Sequence, residues 1–391
     1  MPRPTFRRSY YLAAVLLAVG ACARPRPAVL APAPAMLAPE RAAALDEAVR
    51  SEMARQRLVG VAVGVIREGQ IAYLQGYGQA DRENQTPMTP ATVVNWASNS
   101  KPMAAVLAMM LVEEGKLDLD ADVRMYVPEF PDKGAMITPR LLLCHQSGIV
   151  HYTNGRVVPT ERTYAVPEPF LDPICSLDKF NQSPLIFAPG EKVSYSSYAY
   201  VLLSAVIQRA GGRPYHQQVM TRIAGPAGLR SLQLDLPARD QPNCSRGYMR
   251  IGDRVWRAPE EAHYWKHGAG GYKSDVADFA RWACALIDGK LVSPAARDRM
   301  WTPQRLADGR ATTWGLGFDV RPSAWGPVIS HGGKQNEATS KMMIHPRSRS
   351  GLVLLCNCGY ADINALARAA ASALDPDHRE ESTASTSVRA D

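Results

Sequence analysis

Ser98 and Lys101 form the first pair in the chain whose residue types and spacing could support chemistry. They stand at the start of an apolar run, Met103 to Val112. Residues three positions apart on a helix share one face, so the two side chains would be neighbours. A serine hydroxyl needs a base to act as a nucleophile, and a lysine kept neutral by burial can be that base. The first turn of such a helix also presents a backbone N–H that could form half of an oxyanion hole.

A second copy of this spacing, Ser176 and Lys179, must be distinguished from the first. Ser98 opens a long apolar helical pattern. Ser176 lies between Pro173 and Pro184 in a region rich in turn residues, and no helical pattern follows it. The context therefore favours Ser98 as the nucleophile and predicts no catalytic role for Ser176.

Two further motifs follow in the chain, Tyr195-Ser196-Ser197 and His331-Gly332-Gly333. Together with Ser98-Asn99-Ser100-Lys101, they resemble the three motifs of the serine β-lactamase and penicillin-binding-protein superfamily. The resemblance extends over about residues 59–357. It is greatest to the branch that holds class C β-lactamases, D-alanyl-D-alanine carboxypeptidases and related esterases. Three motifs in order are more specific than any one of them.

The resemblance implies a catalytic role for each of three residues in the first two motifs. Ser98 would be the acylated nucleophile, Lys101 its partner, and Tyr195 the residue that accepts and returns the proton. A phenol has an unperturbed pKa of about 10, so Tyr195 would need nearby cations to act as a base near neutral pH. Lys101 and His331 are the candidates for these cations. Without the resemblance, Tyr195 could equally be a core tyrosine beside an apolar helix.

The third motif lies at a predicted strand end, where the family has Lys-Thr-Gly or His-x-Gly. By resemblance, His331 contributes to substrate binding, and Gly332 and Gly333 let the strand backbone approach the substrate closely. The backbone N–H of Lys334 would complete the oxyanion hole. The alternative is a glycine-rich turn with an incidental histidine. The chain has no Gly-x-Ser-x-Gly motif, which argues against an α/β-hydrolase.

Ser197 departs from the family pattern, which usually has Asn at this position. The carboxamide of that Asn is expected to hold the amide on the acyl side of the substrate as well as the lysine. Serine is shorter and has one donor. The substrate expected is therefore an ester, ahead of a D-amino-acid amide and a β-lactam. The long segment 151–189 is expected to cover the pocket and set substrate size.

His145 could be considered as a catalytic base, because it stands in a stretch that the family also carries. A histidine that fixes a turn before a glycine is more often a hydrogen-bonded packing residue. Lys101 already has the place of the base beside Ser98. We therefore interpret His145 as structural.

Residues 1–22 have the pattern of a secretory leader. The leader has two adjacent arginines and then an apolar stretch, 11–19, that is too short to span a bilayer. It ends in Val19-Gly20-Ala21-Cys22, which resembles a lipobox and predicts Cys22 as the lipidated first mature residue. An ordinary cleaved signal is the alternative. Residues 23–38 are rich in Pro and Ala and are typical of an extended tether. We expect an exported, periplasmic protein, lipid-anchored to the cell membrane or the outer membrane.

The composition excludes several classes of partner. The formal net charge of +8 includes three leader arginines, which leaves +5 for the rest, and no dense Lys/Arg run suggests a nucleic-acid partner. No Cys/His cluster has zinc-ligand spacing, and Gly268 to Gly271 lacks the spacing of a phosphate loop, so it is interpreted as a close-packing turn. Neither a metal nor an organic cofactor is therefore predicted.

Cys175 and Cys244 are the only predicted pair of loop cysteines, although spacing cannot fix a disulfide.

The order of helical and strand patterns predicts an α+β fold. Helices are predicted at 40–57, 198–210, 215–223, 274–287 and 363–374, and strands at 60–67, 70–76, 313–320, 326–331, 337–345 and 351–357. The two ends of the chain would build one sheet, and a helical subdomain at about 115–300 would be inserted into it. This agrees with the family's β-lactamase/transpeptidase-like fold, an antiparallel sheet flanked by helices with an all-helical lobe and a site in the groove between them. The domain would span 39–375, and the polar tail 376–391 is expected to be disordered.

The patterns together predict an exported serine hydrolase that forms an acyl-enzyme on Ser98. The substrate would be a small molecule or a cell-wall peptide, and no oligomeric state is predicted. The alternative is a catalytically silent module that binds cell-wall peptide at the envelope. Retention of both Ser98 and Lys101 favours the enzyme, because a binding module does not need the pair.

Overall fold

A seven-stranded antiparallel sheet joins the two ends of the domain. The computed structural model describes residues 36–236, 243–324 and 326–375, so the predicted leader with Cys22, most of the tether and the tail lie outside it. The described strands are β1 (Gly60–Arg67), β2 (Gln70–Asp81), β3 (Thr86–Pro87), β4 (Val94–Asn95), β5 (Gln233–Leu234), β6 (Tyr248–Ile251), β7 (Arg254–Arg257), β8 (Tyr272–Ser274), β9 (Asp319–Arg321), β10 (Val328–Lys334), β11 (Thr339–His345) and β12 (Ser350–Cys356). The order in the large sheet is β3-β2-β1-β12-β11-β10-β9.

Helices cover this sheet and form much of the rest of the domain. They are α1 (Pro39–Gln56), α2 (Lys101–Glu113), α3 (Pro139–Leu143), α4 (Pro173–Ser176), α5 (Ser197–Gly211), α6 (Tyr215–Gln218), α7 (Gly225–Ala227), α8 (Val276–Asp288), α9 (Pro294–Met300) and α10 (Ile363–Leu374). A π-helix, Val219–Ala224, joins α6 to α7, so the helix predicted at 215–223 changes its hydrogen-bond pattern midway. None of the helices in the described part of the chain has the length and apolar composition that a bilayer crossing requires.

The central strand β1 is buried on both faces, and its alternate residues belong to two different cores. Val61, Val63 and Val65 pack with residues of α1 and α10. Ala62 and Ile66 point to the opposite face, into the larger core that contains α2, α5 and α8. Successive side chains of a strand point to opposite faces, so one short strand ties the two cores together.

The helix α2 passes through the middle of the larger core. All residues from Lys101 to Met109 are buried, as expected for a helix that is apolar all round. Its N-terminus reaches the edge of β10, where the last strands of the large sheet meet the helical part. The fold class predicted from the sequence, an antiparallel sheet flanked by helices, is thus confirmed.

Several local predictions differ from the structure. Small sheets interrupt the region predicted to be helical: β4, β8 and β5 pair in one, and β6 and β7 form a hairpin. The strand predicted at 313–320 is reduced to β9. Ser176 ends the short helix α4 rather than lying in a loop, and no disulfide joins Cys175 to Cys244.

Candidate active site

Ser98 lies in a 3₁₀ turn at 97–100 that runs directly into α2. The preceding residue, Ala97, has a φ of 48°, in the left-handed region that L-residues other than Gly seldom adopt. Such a conformation persists where surrounding contacts hold it. Here the Ser340 hydroxyl of β11 donates a hydrogen bond of 2.6 Å to the carbonyl of Trp96. The turn that presents Ser98 is therefore fixed from the sheet.

Gly333 allows β10 to approach this turn. A Cβ at Gly333 would lie 2.3 Å from the Trp96 carbonyl oxygen and 3.1 Å from the Ala97 Cβ, so no larger residue fits. A Cβ at Gly332 would have its nearest neighbour 4.0 Å away, which leaves room for a side chain. Asn99 adds a second link, because its Nδ2 donates to the Ser340 Oγ at 2.8 Å. Gly333 is therefore required for a close approach of β10 to the Ser98 turn, whereas the predicted approach of both glycines to the substrate stays a prediction.

Lys101 has a fully buried side chain with three short contacts. Its Nζ lies 3.0 Å from the Ser98 Oγ, 3.2 Å from the Ser197 Oγ and 2.6 Å from the Ala269 carbonyl oxygen. Burial, and secondarily the charge of Lys266, lowers the pKa of Lys101 well below its usual value. The structure therefore favours a neutral amine next to Ser98, which is the form that can accept a proton.

Tyr195 is hydrogen-bonded to the Ser98 side chain, and the Lys101 Nζ lies 4.8 Å from the centre of its ring. Burial raises the pKa of Tyr195 well above its ordinary value. A tyrosine base at this position would need nearby cations to lower this pKa, but Lys101 favours its neutral form. The phenol beside Ser98 is therefore protonated near neutral pH, ready to donate rather than to accept a proton.

His331 does not supply the missing cation either. It is buried in the middle of β10, which continues to Lys334 beyond the strand end predicted from the sequence. Burial, followed by the Lys101 charge, lowers the pKa of His331 to about 3. Its Nδ1 lies 2.7 Å from the carbonyl oxygen of Gly332, which can only accept, so Nδ1 carries the proton. Within the described residues, the buried Nε2 has no hydrogen-bond partner. His331 is thus a neutral imidazole whose second nitrogen is an unused acceptor, and its expected role as a cation is wrong.

Lys334 follows the third motif, and the strand register determines where its N–H points. The N–H of Gln335 donates to the carbonyl of Ala338 at 2.8 Å across the tight hairpin between β10 and β11. Successive N–H groups of a strand point to opposite edges, so the N–H of Lys334 points away from β11. β9 pairs with β10 at 328–330, before this position. The Lys334 N–H therefore points to the edge of β10 opposite β11, at a position where β9 does not pair with it.

Ser197 keeps the lysine contact expected of the asparagine that it replaces. Its hydroxyl is hydrogen-bonded to Lys101 and to the side chain of Tyr152, and its N–H donates to the His151 Nδ1 at 3.1 Å. Ser197 is the first residue of α5, which the Ser196 hydroxyl caps by accepting from the N–H of Ala199. The shorter side chain thus preserves the link to the base, although neighbouring groups already engage its hydroxyl.

The prediction that His145 is a packing residue is confirmed. It is buried, has a φ of 59°, and its Nδ1 accepts a hydrogen bond of 3.2 Å from the N–H of Ser196. Its carbonyl oxygen accepts from the N–H of Ser194 at 2.8 Å, and its ring centre lies 4.3 Å from that of Tyr195. His145 therefore holds the segment that carries Tyr195 and does not contact Ser98.

Sequence reasoning missed four residues of this site: His151, Tyr152, Lys266 and Ala269. Ala269 contributes only its carbonyl oxygen, and a backbone atom has no signature in the sequence. The predicted close-packing turn at 268–271 is confirmed for Gly268, where a Cβ would lie 2.4 Å from the Tyr215 hydroxyl. The glycines of this turn are the sequence signal that could have placed the neighbouring backbone of Ala269 near the centre of the domain.

A polar cluster beside β4 is the part of the described structure that could hold a metal ion. Asp235, His263 and Glu337 bring one ligand atom each within 4.8 Å of one another. The Lys273 Nζ lies 3.4 Å from the Asp235 Oδ1, and the Asn95 Nδ2 donates to both carboxylates. An ion would have to displace these amino groups. The cluster as it stands joins β4, which leads to Ser98, to the turn between β10 and β11.

Comparisons with known proteins find similarity over most of the chain. A family model described as Beta-lactamase matches residues 45–375. Esterase EstB of Burkholderia gladioli is 31% identical over 318 residues, which cover 73% of this chain and 78% of that protein. The putative penicillin-binding protein PbpX of Bacillus subtilis (strain 168) is 29% identical over 261 residues, which cover 67% of this chain and 62% of that protein.

The fold is also that of solved structures. A D-amino acid amidase from Ochrobactrum anthropi SV3, complexed with D-phenylalanine, aligns with a TM-score of 0.72 at 22% identity. The alignment covers 86% of this chain and 99% of the amidase chain, and at this identity it shows a similar fold and nothing further. The chain spans between 54% and 66% of the length of the first curated relatives that it matches.

Proposed function

Since the chain belongs to the Beta-lactamase family of serine hydrolases, we propose that it hydrolyses an ester or amide through an acyl-enzyme formed on Ser98. The observation that carries the proposal is the contact of 3.0 Å between the Lys101 Nζ and the Ser98 Oγ, made by a buried lysine whose pKa is well below its usual value. A lysine in this state is a general base positioned on the hydroxyl that it must activate.

The contacts of Lys101 define which atom accepts the proton. A neutral amine has two N–H donors and one lone pair. The Ala269 carbonyl oxygen can only accept, so it takes one N–H, and the Ser197 Oγ is placed to take the other. The lone pair is then left for the Ser98 hydroxyl. As the Ser98 Oγ forms its bond to the substrate carbonyl carbon, its proton passes to the Lys101 Nζ.

Tyr195 supplies the proton that the leaving group needs. Its phenol is protonated and hydrogen-bonded to the Ser98 side chain, so it lies at the reacting centre. When the tetrahedral intermediate collapses, the bond to the leaving group breaks and the leaving group takes the Tyr195 proton. Lys101 then returns to Tyr195 the proton that it took from Ser98. Deacylation repeats these transfers with water as the nucleophile and Ser98 as the leaving group.

The N–H groups of Ser98 and Lys334 stabilise the oxyanion. Backbone donors aimed at a developing negative charge contribute a large part of catalysis in acyl transfer. Gly333 supports this role, because it lets β10 lie against the turn that carries Ser98. His331 is buried and neutral, so the backbone donors stabilise the oxyanion without an imidazolium.

An ester is the substrate class that we favour within this reaction. Ser197 cannot span the distance that an asparagine carboxamide would, so the acyl-side amide of a D-peptide or penicillin loses a contact that a simple ester does not require. The presence of an esterase among the relatives, aligned over 78% of its length, supports this choice. No metal or organic cofactor takes part in any step derived from these residues.

The cellular location forms a separate part of the proposal. The pattern Val19-Gly20-Ala21-Cys22 supports export and lipid attachment at Cys22, followed by a Pro/Ala-rich tether that leads to α1. In a Gram-negative host, the wild-type protein should take up labelled fatty acid and fractionate with membranes, and Cys22→Ser should do neither. Label retained by that variant would rule out lipidation at Cys22.

The reaction itself is tested by covalent labelling. Intact mass after incubation with a fluorophosphonate should increase by one adduct, and peptide mapping should place it on Ser98. An adduct on another residue, or none on a folded protein, would overturn the proposed nucleophile. A folded protein that takes no label but binds cell-wall peptide would instead be the silent module.

A further inference from the structure

Lys266 is a cation of the site that the mechanism does not use. It belongs to the 3₁₀ segment Tyr264–Ala269, which also provides the carbonyl that accepts from Lys101. Its side chain is half-buried between two aromatic rings. The Nζ lies 5.6 Å from the ring centre of Tyr152 and 5.6 Å from that of Trp265.

The ammonium of Lys266 has no anionic partner in the described parts of the chain. No described acceptor hydrogen-bonds to its Nζ, and no described carboxylate lies within 4.0 Å of it. Burial lowers the pKa of Lys266, while the more distant charges of Glu337, Asp235 and Glu261 oppose that change. A cation taken partly out of water without a partner is costly, and a bound anion would remove that cost.

The position of Lys266 relates it to the acyl side of the groove. Tyr152, whose ring it contacts, is hydrogen-bonded to Ser197, and Ser197 replaces the residue expected to hold the acyl-side amide. The charge of Lys266 is also close enough to depress the pKa of Lys101 and of His151. Ser98, Tyr152 and Lys266 are at least partly exposed, whereas Lys101 is buried. Contacts connect them in sequence: Lys266 lies over the Tyr152 ring, Tyr152 is hydrogen-bonded to Ser197, and Lys101 contacts both Ser197 and Ser98.

We propose that Lys266 binds a carboxylate on the acyl side of the substrate, so that the site takes half-esters of dicarboxylic acids or the corresponding half-amides. The inference rests on the proposed function and adds its substrate class. His331 and His151 are neutral near pH 7, since burial lowers their pKa to about 3 and about 4, so neither competes for the anion. A carboxylate also suits an ammonium between two rings, because it can accept a short charge-assisted hydrogen bond from it.

The test compares two esters with the same leaving group and the same number of acyl carbons, 4-nitrophenyl hemisuccinate and 4-nitrophenyl butyrate. The wild-type protein should prefer the hemisuccinate in kcat/KM. Lys266→Met should reduce that preference about tenfold, mainly through KM, as expected when one hydrogen bond to a charged group is lost. Lys266→Arg should retain most of it. Lys116→Met, which removes an exposed lysine paired with Glu114, is the control and should leave the preference unchanged.

The ratio of kcat/KM for the hemisuccinate to kcat/KM for the butyrate separates an effect on carboxylate binding from an effect on the base strength of Lys101. Lys266 also influences the pKa of Lys101, so both rates of a Lys266 variant can change together without any loss of carboxylate binding. A second pair, phenyl acetate and 3-carboxyphenyl acetate, carries its carboxylate on the leaving group instead, and the Lys266→Met ratio for this pair should change less than about twofold. Lys266→Gln repeats the test should the methionine variant fail to fold.

The outcomes separate this inference from the proposed function. No turnover of either 4-nitrophenyl ester and no fluorophosphonate adduct would refute the hydrolase itself. Turnover with the same hemisuccinate-to-butyrate ratio in wild type and Lys266→Met would overturn the role of Lys266 and leave the hydrolase standing. A larger loss for the leaving-group pair than for the acyl pair would also overturn it, because it would place the carboxylate on the other side of the scissile bond.

Discussion

The Ser176 Oγ lies 3.2 Å from the Nε2 of His267, and both side chains are buried. His267 has a φ of 45° and a ψ of −122°, which breaks the 3₁₀ segment in which it lies. Two residues later, the carbonyl of Ala269 accepts the hydrogen bond from Lys101. Ser176, the serine of the second S-x-x-K copy, therefore contacts the kinked segment at His267. The same segment carries the Ala269 carbonyl, which accepts a hydrogen bond from Lys101 of the first copy.

The two serines should respond differently to removal of their hydroxyl groups. Ser98→Ala should abolish ester turnover and adduct formation, because it removes the nucleophile. Ser176→Ala should leave both nearly intact while lowering the free energy of unfolding by about 1 to 2 kcal/mol, since it removes a hydroxyl that contacts the His267 Nε2 and the carbonyl oxygens of Phe170 and Asp172. The measurements are kcat/KM for an aryl ester and urea unfolding of each variant. Activity lost in Ser176→Ala and kept in Ser98→Ala would show that the site is misplaced.

The two glycines of the third motif provide a matched pair. Gly333→Ala places a Cβ 2.3 Å from the Trp96 carbonyl and should move β10 away from the Ser98 turn. A displacement of about 1 Å at an oxyanion donor is expected to reduce kcat/KM about 100-fold. Gly332→Ala, with 4.0 Å to its nearest neighbour, should remain within a few-fold of wild type. Equal activities in the two variants would contradict the proposed approach of β10.

Ser197→Asn should narrow the preference for esters. An asparagine restores the contact to an acyl-side amide, and a buried contact of this kind is worth roughly 1 to 3 kcal/mol. Simple aryl esters lack that amide, so we expect the wild-type protein to turn them over far faster than penicillins or D-alanyl peptides. The measurement is kcat/KM for both substrate classes on both proteins. Efficient penicillin hydrolysis by the wild type, unchanged in the variant, would assign the preference to another part of the site, with segment 151–189 the first to examine.

Buried His331 should make the domain sensitive to acid. Its pKa is about 3 in the folded protein, against about 6.5 for an unperturbed histidine. Between these values the unfolded chain binds a proton that the folded protein does not, so stability is lost as the pH falls from about 6.5 towards 3. One such group contributes a slope of about 1.4 kcal/mol per pH unit.

His331→Gln should reduce that slope by about 1.4 kcal/mol per pH unit, the contribution of one proton. The measurement is the free energy of unfolding in urea at several pH values between about 4 and 7, for the variant and the wild type. His145 and His267 are buried, His151 is half-buried, and burial lowers the pKa of all three, so the variant should retain part of the acid sensitivity. Identical slopes in the two proteins would mean that His331 becomes protonated equally easily in the folded and unfolded states.

Elements with a strong local pattern are predicted well from the sequence. The last helix is predicted at 363–374 and is found at Ile363–Leu374, where Asp362 caps it by accepting from the N–H of Ala365. The strand predicted at 60–67 coincides with β1. Both have regular periodicity and sharp ends, a capping residue in one and the Glu68-Gly69 turn in the other, and such signals lie entirely within the segment concerned.

The parts that the sequence does not predict depend on contacts between distant segments. Residue type does not reveal that His331 is buried, and burial is what makes it neutral rather than cationic. Lys266 and the carbonyl of Ala269 reach the site because His267 turns the chain at an unusual φ, and the histidine itself gives no sign of that turn. The motifs predict a nucleophile and a base, whereas the environment that sets their protonation comes from tertiary packing.

The pairing of β1 with β12 has a consequence for how the chain assembles. Val61 lies opposite Cys356, so the centre of the sheet joins residues from the two ends of the domain. Loops of this length make such contacts slow to form, because much chain entropy is lost before the pairing stabilises anything. Until β12 has been synthesised, β1 lacks one of its two neighbours, and its exposed edge is open to pairing with other chains. The domain therefore reaches its stable form only when its last strand is available, and a chain that ends before Ser350 should aggregate rather than fold.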